Sequence, residues 1–308
     1  MAKERTVRAY GALAVGVIAI AWSAIFVRWT HMPGVASAFY RVFFASVVLC
    51  GVLAFSRVTL TGIDRSTLCV AVLSGVFFAG DIGLFNTAVL HTSAGSATFL
   101  TNNAPLLVGL LTWAITRRLP SLRFWMALAF ALVGAWLIVA VDARHAGREW
   151  SADVLAVMAS VCFALYLLTT ERLRNDLDTR ILVSVSTMSS AVVLLVVSTF
   201  AHISLAVPSV GSLAALLGLG LICQLTGYFC LTYALGHLPA TITSVVMLAC
   251  APITALFAFG LFGERMTMPA RCRRRFRNPR SVDCKPVGAR IFARRQQCLG
   301  CGRLTGCV

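Results

Sequence analysis

Charged side chains are scarce in this sequence. Only 12% of its 308 residues are Asp, Glu, Lys or Arg, whereas a soluble domain carries roughly 25%. Hydrophobic residues make up 59% of the chain, and they fall in runs of about 20, the length that one helix needs to cross a bilayer. The scarcity of charge therefore excludes an ordinary soluble domain and predicts a membrane protein.

The sequence also lacks the motifs of the common enzyme classes. It contains no nucleophile elbow, phosphate loop, paired-histidine metal helix or dinucleotide fingerprint. Six of the eleven cysteines stand singly inside apolar runs, where a thiol behaves as a small hydrophobe. We therefore expect no enzyme, no cofactor and no disulfide framework. A membrane enzyme that uses Asp81 is the alternative.

Nine apolar runs predict membrane-spanning helices. In hydrocarbon each segment must satisfy its own backbone hydrogen bonds, which favours helices. The fold class that follows is an all-α polytopic membrane protein. The runs lie near residues 10–28, 35–55, 68–88, 94–115, 123–141, 152–170, 180–201, 210–233 and 240–262.

Lysine and arginine are distributed unequally between the predicted loops. With the N-terminus in the cytoplasm, the inner segments hold eleven of them, and the outer loops hold three, Arg28, Arg144 and Arg148. Short loops rich in positive charge stay on the cytoplasmic side of a membrane. We therefore predict a multi-pass protein of the inner (plasma) membrane with a cytoplasmic N-terminus.

Two stretches of the sequence repeat the same order of features. His91 is followed by an apolar helix that contains Pro105, and His237 is followed by one that contains Pro252. The two distances from His to Pro differ by one residue. A unit of five helices crosses the membrane an odd number of times, so its two ends lie on opposite sides. A second copy then enters from the other side and is inverted, as in the repeats of transporters. Chance similarity between apolar stretches is the alternative.

Several short motifs stand in order along the two halves. They are Ser-Ala-Phe-Tyr-Arg at 37–41, Gly-Asp-Ile-Gly-Leu-Phe at 80–85, the runs 92–105 and 233–252, and Leu-Phe-Gly-Glu-Arg at 261–265. By these motifs the chain resembles the drug/metabolite transporter superfamily, of the type built from two EamA domains. The resemblance implies a first EamA-like repeat at 8–141 and a second at 152–267. It also implies a secondary carrier of ten helices. Many carriers of this family export amino acids, nucleosides or other metabolites.

The end of the sequence departs from the family pattern. After Thr267 the family has a tenth apolar helix, whereas residues 268–308 are basic, rich in cysteine and without periodicity. Cys298 and Cys301 have the spacing of zinc ligands, but no second pair follows, so we predict no metal site. We expect this tail to come from a shifted reading frame or to be disordered, and not to bind nucleic acid. A truncated carrier without transport activity is then the alternative function.

Polar side chains inside the spans are the candidates for the substrate pathway. An ionisable group is costly to bury in lipid, so Asp81 and Arg41 either serve transport or form a structural ion pair. If the carboxyl of Asp81 took up a proton from one membrane face and released it to the other, transport would be coupled to proton movement. For the amides the alternative is hydrogen bonding between helices, and for the aromatic residues it is plain packing. The pathway candidates are Asp81, Asn86, Asn102, Asn103, Gln224, Tyr228, Trp22 and Tyr166, and the structural candidates are Arg41, Pro105, Pro252 and Glu264.

The expected function is therefore secondary transport, most simply export, of a small metabolite such as an amino acid by alternating access. The expected partners are that substrate and the lipid bilayer. Proton coupling and assembly into a homo-oligomer stay open.

The inverted arrangement makes a prediction about sidedness. Because the halves enter the membrane from opposite sides, a phosphatase that works only outside the cytoplasm should be active when fused after residue 148 and inactive when fused after residue 60. Activity assays on cells that carry each fusion measure this directly. Equal activity at the two positions would contradict the inverted arrangement.

Overall fold

The computed structural model describes residues 2–55, 63–92, 94–101, 103–117, 121–122, 124–126, 128–130, 133 and 150–262. Within these ranges the regular structure is helical, without a strand. Eight helices there are long and apolar enough to cross a membrane. The prediction of an all-α polytopic membrane protein is confirmed.

The helices of the described residues follow one another with short connections. They are α1 (Ala2–Ala21), α2 (Ser23–Thr30), α3 (Gly34–Phe55), α4 (Arg65–His91), α5 (Ala94–Thr101), α6 (Ala104–Thr116), α7 (Trp150–Leu173), α8 (Thr179–Phe200), α9 (Val210–Gly218), the π segment (Leu219–Tyr228), α10 (Phe229–Leu235), α11 (Ala240–Met247) and α12 (Cys250–Phe262).

Eight of the nine predicted spans coincide with one of these helices or with two or three consecutive elements. The predicted fifth span, 123–141, lies mostly outside the described residues, although residues 124–126 and 128–130 are helical. The tail at 268–308, together with Glu264 and Asn102, also lies outside them. The fifth span therefore stays a prediction.

The surface of the helix bundle is rich in large apolar side chains. Phe43, Val157, Val192 and Leu221 are all exposed, each from a different span. Many hydroxyl side chains are buried instead, and some of them, such as that of Ser190, hydrogen-bond a neighbouring helix. This arrangement suits a protein surrounded by lipid, in which small polar residues hold the helices together.

The first span is interrupted at Trp22, between α1 and α2. Thr254 of α12 supplies a donor there, since its Oγ1 hydrogen-bonds the carbonyl oxygen of Ala21 at 2.8 Å. In lipid each backbone polar group needs a partner within the protein, and α12 supplies one for the carbonyl of Ala21.

The two stretches that repeat in the sequence form two broken helices of equal dimensions. The first broken helix consists of α5, with 8 residues, and α6, with 13. The second consists of α11, with 8 residues, and α12, with 13. Pro105 and Pro252 both lie in the first turn of the longer piece, where a missing backbone N–H is tolerated. The prolines thus stand where each helix resumes.

Helices of the two halves make corresponding contacts. The first span of the first half (α1) packs against the third span of the second half (the π segment and α10). Likewise, the first span of the second half (α7) packs against the third span of the first half (α4). The two second spans, α3 and α8, pack against each other. The two broken helices are antiparallel, because α5 packs on α12 and α6 packs on α11. When each helix in these contacts is replaced by its counterpart in the other half, the same set of contacts results.

The contact between α4 and α8 depends on Gly75. A Cβ placed there would overlap the backbone oxygen of Ser186 and the hydroxyl of Ser189, whereas a Cβ at Gly51 meets nothing. We expect Gly75→Ala to destabilise the protein by about 1–3 kcal/mol through overpacking. Thermal unfolding of the purified protein in detergent measures this. Gly51→Ala is the helical control, and a Gly75→Ala protein as stable as that control would contradict the packing.

Candidate functional site

A small cavity of about 30 Å³ lies at the centre of the bundle. It is enclosed by helices from both halves of the chain, including α2, α3, α4, α5, α7, the π segment and α11. The side chains that give it polar character are Ser23, Arg41, Asp81, Thr98, Thr101 and Tyr228. A positively charged and an acidic side chain therefore line the same cavity in a mainly apolar bundle.

The guanidinium of Arg41 is held by neutral partners from other spans. Arg41 is 1% exposed, and its Nη1 donates to the hydroxyl of Ser23 at 2.8 Å. Its Nε donates to the amide oxygen of Gln224 at 3.2 Å, and its Cζ lies 5.2 Å from the ring centre of Tyr228. Hydrogen bonds and a cation–π contact together offset the cost of burying the charge.

Gln224 and Tyr228 reach Arg41 from the π segment. The wider turn of a π-helix is rare in proteins and is frequent at functional sites. Gln224 is 1% exposed, and its Nε2 donates to the hydroxyl of Thr187 in α8 at 3.4 Å. Gln224 thus holds Arg41 in place, while Tyr228 lines the cavity itself.

Asp81 lies on α4 and lines the same cavity as Arg41. The structure does not show the direct ion pair considered for these two residues, because the guanidinium is engaged by Ser23 and Gln224 instead. Oδ1 of Asp81, Nη2 of Arg41 and the hydroxyl of Thr98 are buried without a hydrogen-bond partner. Buried polar atoms are nearly always partnered, so three such atoms at one cavity point to a binding role.

The amide candidates are placed differently. Asn86 is fully buried on α4 and hydrogen-bonds the hydroxyl of Ser37 at 3.0 Å, so it joins α4 to α3. Its amide can do so in either orientation. Asn103 lies at the interruption of the first broken helix, and its buried Oδ1 lacks a partner. Neither residue lines the central cavity.

The aromatic candidates Trp22 and Tyr166 pack against other rings. Trp22 stacks on Phe257, with ring centres 4.5 Å apart. Tyr166 lies 4.9 Å from Phe78, and its hydroxyl is 3.4 Å from that of Thr232. Tyr166 also supports Tyr228 from behind, at 6.1 Å between ring centres. Neither residue lines the cavity, although Tyr166 contacts Tyr228, which does.

Several of the residues that line the cavity had not been singled out as candidates from the sequence. Ser23, Phe163 and Met247 all face the cavity. Ser23 and Phe163 hold similar places in the first spans of the two halves, and this repetition could have marked them as candidates. Met247 carries no signal, because a methionine in an apolar run is an ordinary packing residue.

The EamA-like transporter family matches the chain at residues 8–140 and 150–271. The chain belongs to this family. It is also similar to the uncharacterized transporter YwfM of Bacillus subtilis (strain 168), with 29% identity over 188 residues. That similarity covers 61% of the chain and spans only 62% of the relative's length. A protein of known crystal structure has the same fold, with a TM-score of 0.67 and 14% identity over 88% of this chain and 93% of the other.

The contact between Arg41 and Gln224 makes a prediction about stability in this EamA family member. Gln224→Leu leaves the Nε of Arg41 without an acceptor, so it should destabilise the protein by about 1–3 kcal/mol. Thr226→Val is the control, because Thr226 lies on the same π segment and is exposed. Thermal unfolding in detergent compares the two. If Gln224→Leu unfolds at the control's temperature, Gln224 does not hold Arg41.

Proposed function

We propose that this EamA family member is a secondary transporter that exports a small zwitterionic metabolite, such as an amino acid. The observation that carries the proposal is the pair of unpartnered atoms at the central cavity, Nη2 of Arg41 and Oδ1 of Asp81. In the proposed complex, a substrate carboxylate accepts from Arg41, and a substrate ammonium group donates to Asp81. A guanidinium is well suited to carboxylates because it donates in a planar fork.

The apolar lining supports a substrate with a hydrophobic part. Phe163, Ile82 and Phe85 lie around the cavity together with the ring of Tyr228. Pockets for small molecules are mostly apolar, with a few polar groups that fix the orientation of the ligand. An amino acid with an apolar side chain combines these two features.

The size of the cavity supports alternating access. Ligand pockets usually enclose about 300–1,000 Å³, whereas the central cavity measures about 30 Å³. A metabolite therefore fits only after the surrounding helices separate. In our proposal they separate towards one face to admit the substrate and towards the other to release it.

The proposed moving parts are the two halves, an inverted pair of repeats at 8–141 and 152–267. Two observations support this relation. The broken helices have the same lengths, 8 and 13 residues, and each begins three residues after its histidine, His91 or His237. The contacts between the halves are also matched when the halves are exchanged, with the broken helices antiparallel. A two-fold axis in the membrane plane would produce both features.

Proton coupling is proposed for Asp81. A carboxyl that lines the path and lacks a fixed partner can hold a proton in one state and a substrate ammonium group in another. With the N-terminus in the cytoplasm, protons entering from outside would then drive substrate out of the cell.

Transport can be tested with purified protein in liposomes that are loaded with radiolabelled amino acids, one at a time, under an imposed pH gradient. We expect gradient-dependent flux in the wild type. Asp81→Asn and Arg41→Lys should each reduce it about ten-fold or more, because Asn lacks the negative charge that binds an ammonium group and Lys lacks the planar fork that binds a carboxylate.

Asp64→Asn is the matched control for Asp81→Asn. Asp64 lies at the start of the same helix, where its carboxylate caps α4 from an exposed position. It should leave flux unchanged. Normal gradient-dependent flux in Asp81→Asn would remove the carboxyl from the mechanism, and the absence of flux in the wild type would contradict transport.

A further inference from the structure

A second and larger cavity lies at the membrane face where α6 and α7 end and α11 begins. It has a volume of about 510 Å³, which is within the range of ligand sites. Its floor is apolar, with Leu111, Leu165, Leu168 and Leu238, and its rim carries Glu171, Arg172, Asn175 and His237. We refer to it as the vestibule.

The vestibule and the central cavity share helices. On α7, Glu171 borders the vestibule and Phe163 borders the central cavity. On the second broken helix, Pro239 precedes α11 at the vestibule, and Met247 ends α11 at the central cavity. Eight residues separate the members of each pair, which is about 12 Å along a helix. On α7, Leu165 of the vestibule floor is only two residues from Phe163, so a thinner barrier separates the cavities there.

Glu171 ties together the two helices that flank this barrier. Its Oε1 accepts a hydrogen bond from the backbone N–H of Ala240, the first residue of α11, at 3.0 Å. The bond is favourable because a carboxylate at a helix N-terminus also meets the positive end of the helix dipole. While it exists, α11 cannot swing away from the end of α7.

A corresponding contact exists at the opposite face. Arg28 of α2 donates from its Nη2 to the carbonyl oxygen of Thr92, just before α5, at 2.8 Å. At each face, a charged side chain near the end of a half's first span thus holds the start of that half's broken helix. At the face of Arg28 a further contact runs from the Tyr40 hydroxyl to the carbonyl oxygen of Leu205, at 2.8 Å.

We propose that the vestibule is the access site through which a small zwitterionic substrate reaches the central cavity, and that the hydrogen bond from Ala240 to Glu171 is its latch. Arg28 is the latch of the opposite face. When the Glu171 bond breaks, α11 moves from α7, and the vestibule joins the central cavity. This inference rests on the proposed transport function, although its test needs no substrate.

The test measures access of a membrane-impermeant maleimide to Thr98→Cys, in a chain whose eleven native cysteines are replaced. Thr98 lines the central cavity and has no hydrogen-bond partner to lose. Reagent is applied to sealed vesicles from the vestibule face. Glu171→Ala should raise the labelling rate about ten-fold, the effect of losing one charge-assisted hydrogen bond. Glu171→Gln should raise it less than Glu171→Ala does, because the amide oxygen can still accept from Ala240 but carries no charge to interact with the helix dipole.

Asp178→Ala is the matched control. Asp178 also uses a carboxylate oxygen to cap a helix that starts near the end of α7, through the N–H of Arg180 at 2.8 Å, but that helix is unbroken. Its labelling rate should not change. An unchanged rate in Glu171→Ala, or an equal rise in Asp178→Ala, would overturn the latch.

A filling substitution tests the vestibule independently of the latch. Leu168→Trp places a large ring in it and should slow labelling from that face several-fold, whereas Leu110→Trp, on the exposed side of α6, should not. Undiminished labelling in Leu168→Trp would overturn the proposal that the vestibule is the access site. If liposome flux were absent while labelling changed as expected, the transport proposal would fail and the latch would stand. If flux were present without these changes, only the latch would fail.

Discussion

A guanidinium inside a membrane protein must find acceptors on neighbouring helices, because lipid supplies none. Arg41 meets this requirement through Ser23 on the first span and through Gln224 and Tyr228 on the π segment. These partners come from both halves of the chain, so one charge ties the two halves together at the centre. The partners are all neutral, and they leave one nitrogen of Arg41 unused beside the cavity. The same requirement thus shapes the packing and provides the site.

The central cavity lies where spans are interrupted. Ser23 begins α2 after the break at Trp22, and Tyr228 ends the π segment. Thr101 and Met247 end the shorter pieces of the two broken helices. An uninterrupted helix bonds its own backbone and offers lipid a smooth apolar surface. Interruptions at this depth bring Ser23 and Thr101 to the cavity, whereas the charged Arg41 and Asp81 come from the unbroken helices α3 and α4.

Much of the fold could be predicted from the sequence, because the lipid imposes a simple rule on length and hydropathy. The order of His91 and Pro105, repeated at His237 and Pro252, also marked the two helices that prove to be broken alike. The site was only partly predictable. Asp81, Arg41 and Tyr228 were found because polar groups are conspicuous in apolar runs.

The partners of these residues were not predictable. Arg41 and Gln224 are separated by 183 residues, and no local spacing encodes that contact. Arg41 and Asp81 line one cavity without the direct ion pair that was considered, and nothing in the sequence indicates that Ser23 binds the guanidinium instead. The π segment was also missed, because its residues are compatible with an ordinary α-helix.

That π segment has a consequence for how the chain tolerates changes in length. A π turn holds more residues than an α turn, so the segment accommodates chain that a regular helix would have no place for. Deleting one residue within it would bring the backbone closer to a regular helix and need not rotate the residues beyond it, whereas the same deletion in an α-helix would rotate them by about 100°. The π segment is therefore the part of this span where a lost residue disturbs the packing of α10 against α1 the least.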